Sequence, residues 1–263
     1  MPVQALSGNV FLLVTGASRG IGRQIAITFG SLLGGNSHVL LLATNLNALK
    51  ETAKNISSNV SVDTVSIDLS NATKGELHDV IMQSLKNKTV TQFDQVVVVH
   101  NVGTMGDLTK KTNDMTDINI WHSYYDLNVF VPAILNGVVM QIFNETTNTK
   151  KTVINISSLL GLKPTKSTGY YCTGKAAREM FFKVFAVENP EVDVLNYSPG
   201  PVETDMYHQV CNEVSDKEVK SHFNDLLTKR TVLTCEQTVN RLLKVLESHK
   251  YESGDHVDYY DDL

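Results

Sequence analysis

The chain has 263 residues, 42% of them hydrophobic and 19% charged, with a formal net charge of −5. That composition suits a globular fold with a large core, and the acidic balance argues against a nucleic-acid surface, which would be basic. Three cysteines, Cys172, Cys211 and Cys235, are odd in number, widely spaced and lack metal-ligand spacing, which fits reduced thiols better than a disulfide framework.

The first apolar run, 10–14, is a short strand without the basic flank of a secretory leader. No apolar stretch approaches the roughly 20 residues of a membrane span, so the expected location is the cytosol. A glycine-rich turn follows the strand: Gly16, Ala17, Ser18, Arg19, Gly20, Ile21 and Gly22, leading into a helix over 21–33. Strand, glycine turn and helix together form a pyrophosphate cradle at a helix N-terminus. The second strand, 38–43, runs into Thr44 and Asn45 and a helix over 47–57. An NAD site places an acid there for the ribose hydroxyl; none is present. Arg19 in the loop can instead offer its fork to a 2′-phosphate. Both features favour NADP, against the plainer reading of Arg19 as an exposed side chain.

A third strand, 61–67, ends at Asp68 and Leu69 before a helix over 74–85. Asp68 either holds the adenine amino group or caps that helix. The fourth strand, 95–100, leads to Asn101, Val102 and Gly103, at the strand ends where ligands of such folds bind. A long helix is expected over 120–143, carrying Asn128. The fifth strand, 152–156, is followed by Ser157 and Ser158. Ser158 can donate to a substrate carbonyl, and Ser157 is a candidate second contact. On the helix expected over 169–187, Tyr171 and Lys175 lie four residues apart and share a face. An ammonium beside a phenol favours the phenolate and lowers the tyrosine pKa, giving a usable acid and base. Cys172 either lines the pocket or is simply small and buried.

The sixth strand, 192–197, precedes Pro199 and Gly200. The stretch 206–234 is more polar and breaks the alternation. It reads either as a substrate-loop lid or as a surface helix pair, with a helix around 217–227. A last strand lies near 255–259. The alternation of strands and helices, without a linker, predicts one α/β domain over 1–263 with a doubly wound parallel sheet.

As a set, the glycine loop, Asn101-Val102-Gly103, Asn128, Ser158, Tyr171, Lys175 and Pro199-Gly200 resemble the short-chain dehydrogenase/reductases over nearly the whole chain. That resemblance implies a single Rossmann-like domain with a seven-stranded parallel sheet, and an NADPH-dependent carbonyl reductase. Tyr171 would be the acid/base, and Lys175 would lower its pKa and hold the nicotinamide ribose. Ser158 would orient the carbonyl and Asn128 would position a relay water. It extends the cofactor site to Val202, Glu203, Thr204, Asp205 and Met206, and the substrate site to Leu159 and Gly200. It also implies a homodimer through the helices at 120–143 and 169–187. The sequence departs from the family's common Asn-Asn-Ala-Gly at His100-Asn101-Val102-Gly103.

A narrower resemblance, to the sepiapterin-reducing branch of that family, covers 155–158, 171–178, 198–202 and 253–261. It implies that Asp258 anchors a pterin, whose exocyclic amine and ring N–H suit the two oxygens of a carboxylate. A solvated acidic tail is the plainer reading of Asp258. Two departures are the lack of a tryptophan in 163–170 and Thr44 where vertebrate members have an arginine. A general diketone reductase is the alternative function, and an inactive NADP-binding scaffold a third.

Overall fold

A computed structural model describes residues 3–144 and 149–262. Among them seven strands form one sheet in the order β3-β2-β1-β4-β5-β6-β7, parallel throughout. They are β1 (Val10–Thr15), β2 (His38–Ala43), β3 (Ser61–Ser66), β4 (Gln95–His100), β5 (Lys150–Ile156), β6 (Val192–Ser198) and β7 (His256–Asp258). The expected strands all form, with ends moved by a residue or two. The order reverses between β1 and β4, which opens a crevice at their carboxyl ends.

Helices cover both faces because the central strands bury both. Along β1, Val10, Leu12 and Val14 pack with α1 (Gly20–Gly30) and α9 (Cys235–Ser248), while Phe11 and Leu13 pack with α3 (Lys74–Ser84) and α5 (Val131–Ile142). All five are fully buried, each worth roughly 1.5–3 kcal/mol relative to exposure. α2 (Leu46–Lys54) starts at Asn45, whose side chain caps it by accepting from Ala48 N–H at 3.0 Å.

Three elements differ from the sequence reading. The expected helix over 120–143 is α4 (Ile118–Tyr125), a turn of π-helix at Asp126–Phe130 that contains Asn128, and then α5. Such single turns gather at functional sites. The composite stretch Ile118–Ile142 is, by length and composition, apolar enough to cross a membrane, contrary to expectation. Its Val131, Leu135, Val138 and Val139 are buried against the sheet, which accounts for the hydropathy. Second, 206–234 contains a helix pair, α7 (Asp205–Glu213) and α8 (Lys217–Thr228). Third, α9 was not anticipated. Its signals are a Thr234–Gln237 capping box and the buried stripe Val239, Leu242, Val245 and Leu246. The catalytic candidates lie on α6 (Gly169–Glu188).

Candidate active site

A single cavity of about 1350 Å³ runs along the carboxyl ends of the sheet. At one end is the glycine turn. Gly16 and Gly20 have φ of +67° and +56°, a conformation side chains disfavour. A Cβ on Gly22 would come within 2.4 Å of both Gly16 O and Asn101 Nδ2, so the close packing of loop on helix requires glycine. Asn101 holds that loop, donating from Nδ2 to Thr15 O at 3.0 Å. α1 starts at Arg19 with no side-chain cap, which leaves its first amides to face an anion. The cradle therefore fits a dinucleotide pyrophosphate.

Most of the cofactor candidates line this cavity: Gly16, Ser18, Arg19, Gly20, Ile21, Thr44, Asp68, Leu69, Asn101, Gly103 and the five residues 202–206. Ala17 and Gly22 are buried behind the loop, and Asn45 is spent as the α2 cap. Asp68 does not cap the next helix, whose cap is Thr73. Its Oδ1 accepts from Ser70 N–H and Oγ at 3.0 and 2.7 Å, which closes a turn and holds the carboxyl below its ordinary range. Arg19 ion-pairs across the cavity with Asp205 at 2.7 Å. Arg23, in the first turn of α1, also lines this end. The sequence reading passed over it.

At the other end, the α6 face brings Tyr171 and Lys175 beside Ser158, all lining the cavity with Leu159, Gly200 and Asp258. Lys175 Nζ donates to Ile156 O at 2.6 Å and lies 5.5 Å from the Tyr171 ring centroid. Burial raises the Tyr171 phenol above its ordinary value, opposed by a hydrogen bond from Ser158 and the charge of Arg178. This reverses the expected direction. Lys175 is itself pushed well down, first by burial and then by Arg178, so its pull on the phenol is blunted. The raised phenol keeps its proton for donation.

Three further candidates have their side chains engaged by protein partners. Asn128 does not line the cavity: its Oδ1 accepts from Thr104 N–H at 2.9 Å and its Nδ2 donates to Tyr124 O at 2.8 Å. Its side chain is committed to bracing the 101–105 loop. Ser157 lines the cavity, but its hydroxyl proton is given to Glu179 Oε2 at 2.5 Å. Cys172 meets Thr168 Oγ1 at 3.1 Å and is absent from the lining, whereas Cys235 is part of it.

Asp258 lies at the far wall. Its Oδ2 accepts from Ser198 Oγ at 2.6 Å and its Oδ1 from Tyr260 N–H at 3.0 Å. Each oxygen keeps a second lone pair for a ligand. Glu179 ties this wall to the catalytic helix: it also binds His256 Nδ1 at 2.9 Å and Lys183 Nζ at 2.8 Å. The remaining wall comes from α7 and α8 through Tyr207, Val210, Val219 and Phe223, so the helix pair of 206–234 is also a substrate-side wall. The arrangement can bind a dinucleotide, polarise a carbonyl and protonate its oxygen. Among the described residues no cluster could hold a metal ion.

A family model described as short chain dehydrogenase matches residues 11–215. Sepiapterin reductase of Bos taurus is 34% identical over 259 residues, covering 97% of this chain and 96% of its own. Benzil reductase ((S)-benzoin forming) of Bacillus cereus is 27% identical over 252 residues, covering 93% and 97%. The crystal structure of L-sorbose reductase from Gluconobacter frateurii, complexed with NADPH and L-sorbose, superposes with a TM-score of 0.78 at 21% identity, covering all of both chains.

Proposed function

Since the chain belongs to the short chain dehydrogenase family, oxidoreductases that use a nicotinamide cofactor, we propose that it reduces the side-chain carbonyl of a pterin with NADPH, as in tetrahydrobiopterin formation. The observation that carries this reading is Asp258, whose carboxylate shares one cavity with Ser158 and Tyr171. The likeness to sepiapterin reductase over nearly the full chain supports it.

Arg19 and Arg23 bring two guanidinium charges to the glycine-loop end of the cavity, and no carboxylate stands at the end of β2. That charge suits the 2′-phosphate of NADPH. NADPH held by the glycine turn and Lys175 would supply the hydride for the carbonyl carbon. Ser158 donates to the carbonyl oxygen and draws electron density towards it. Tyr171 Oη gives its proton to that oxygen, leaving the alcohol and a phenolate. Lys175, fixed by Ile156 O, steadies the phenolate until solvent restores its proton. Asp258 holds the pterin ring so that the side-chain ketone meets Tyr171, which is catalysis by positioning.

A homodimer and a cytosolic location belong to the same proposal. Phe130, Ile134, Met180, Val184 and Val187 are exposed on the π turn, α5 and α6, an apolar face of the kind that association covers.

The test is NADPH oxidation with sepiapterin by the parent and by Asp258→Asn. A rise in KM for sepiapterin of about tenfold or more, with KM for NADPH unchanged, is expected from loss of a charged hydrogen-bond partner. Unaltered sepiapterin kinetics would remove Asp258 from substrate binding. A diketone reductase is the second reading, favoured by the likeness to benzil reductase. Equal efficiency on benzil and sepiapterin supports it.

A further inference from the structure

Arg178 is the largest side chain fully enclosed in the protein, 1% exposed. Burying a guanidinium costs several kcal/mol unless it is fully hydrogen-bonded and paired. Here, among the described residues, its partners are carbonyl oxygens and not a carboxylate. Nε donates to Asn155 Oδ1 at 2.6 Å, Nη1 to Val102 O at 2.8 Å and Asn128 O at 3.5 Å, and Nη2 to His100 O. Those acceptors come from β5, from the end of β4, from the loop after it and from the π turn. The charge is hydrogen-bonded yet electrically uncompensated, a state that structure alone does not require. Its place is informative: Tyr171, Lys175 and Arg178 are spaced four and three residues apart and share one face of α6.

We propose that Arg178 is a positioning residue for carbonyl reduction: its guanidinium locks the β4 loop and the Asn128 turn against the helix face bearing Tyr171 and Lys175, and keeps a fixed positive charge behind that pair. The bracing explains why the Asn128 side chain can be committed to Thr104. The charge has a chemical use. When Tyr171 gives its proton to the substrate oxygen, the phenolate left behind sits in a buried site, where a fixed cation stabilises it without reorganisation. Lys175, itself discouraged from holding charge by burial, would do this less well alone.

The titratable groups facing Arg178 are His100 from β4, Tyr124 from α4, and Tyr171 and Lys175 on α6. Glu179, next on α6, is engaged by Ser157, Lys183 and His256. His100 is held neutral, its pKa lowered to about 3, chiefly by burial. Tyr124 is pushed up by burial. Tyr171 is thus the group on which a change at Arg178 is read.

The inference rests on carbonyl reduction by this family and not on the pterin. Its test therefore includes a readout that needs no turnover. Arg178→Gln keeps hydrogen-bond donors and loses the charge; Arg178→Lys keeps the charge and loses the fork. Tyr171 is titrated by tyrosinate absorbance, as the difference between each protein and its Tyr171→Phe counterpart. In parallel, kcat is followed against pH with any carbonyl substrate that the parent turns over. For Arg178→Gln the Tyr171 midpoint moves up by about one pH unit or more, the effect of losing one nearby opposite charge. Its kcat falls by about tenfold or more, with NADPH affinity within about threefold. Arg178→Lys keeps the parental midpoint and recovers part of kcat. An unmoved midpoint in Arg178→Gln overturns the proposal, as does a loss confined to NADPH binding. Should Arg178→Gln fail to fold, Arg178→Lys decides: a parental midpoint supports the proposal and an upward shift equal to loss of the charge overturns it.

Discussion

Arg19 and Asp205 close the cofactor cavity from opposite sides, with Nη1 2.7 Å from Oδ2. They are 186 residues apart in the chain, one in the glycine turn and one opening α7. Both side chains are largely exposed, so the pair adds at most about 1 kcal/mol to stability. The guanidinium keeps four further N–H donors for a phosphate. Replacing Arg19 by Ala is expected to raise KM for NADPH by about tenfold or more and to leave KM for NADH within about threefold, since only NADPH carries the extra phosphate. Asp205→Asn should move either value by less than about fivefold. Equal losses for both cofactors in Arg19→Ala would place Arg19 away from the 2′-phosphate.

Tyr171 is the proposed proton donor, and its phenol is raised by burial against the pull of Ser158 and Arg178. Tyr171→Phe should lower kcat by about a thousandfold or more, and Ser158→Ala by about a hundredfold, with NADPH affinity kept in both. Fluorescence titration with NADPH beside steady-state kinetics measures this. A Tyr171→Phe enzyme within tenfold of the parent would assign the proton to another group.

Acid stability follows from two buried histidines. His100 is lowered to about 3, by burial and then by Arg178, and His38 to about 4, by burial and then by Lys88. Unfolded histidines take up protons near pH 6.5, whereas these two do not when folded. The unfolded state therefore binds more protons below that pH, and stability falls with pH through the window from 6.5 to the folded values. By pH 5 each contributes a loss of roughly 2 kcal/mol. Glu179 adds to this lower down. Burial would raise it, but hydrogen bonds from His256, Lys183 and Ser157 hold it down to about 2, so its contribution is present above 4.5 and lost between 4.5 and 2. His100→Asn should flatten the fall of Tm between about pH 7 and 5 by about half. An unchanged slope in calorimetry would contradict the assignment.

Association is tested on α6, where Met180 and Val184 are 60% and 47% exposed on one face. Placing a charge there, in Met180→Asp/Val184→Asp, should convert a dimer to a monomer in light scattering, since an unpaired buried carboxylate costs several kcal/mol. A parent that scatters as a monomer refutes the dimer directly.

The alternation of strands and helices, the glycine turn and the Tyr171–Lys175 spacing were all legible along the chain. Each depends on local geometry: period two in a strand, four residues in a helix turn, φ above zero at Gly16 and Gly20. α9 was equally local, in its capping box and apolar stripe, and was overlooked because the preceding polar stretch interrupts the alternation. The π turn at Asn128 was not legible, because it depends on contacts with Thr104 and Arg178.

Residue types and local spacing thus pointed to an oxidoreductase of this family and singled out its candidate acid, lysine and serine. What the side chains do with their protons was decided only by folding. Burial reversed the direction at Tyr171, weakened Lys175 as a cation and enclosed Arg178 behind both. Glu179 took the Ser157 proton, Thr104 engaged the Asn128 side chain, and Asp258, 87 residues beyond Tyr171 in the chain (258 − 171), was brought to the same cavity. Desolvation and charge–charge interaction act through space, on neighbours that chain order does not reveal.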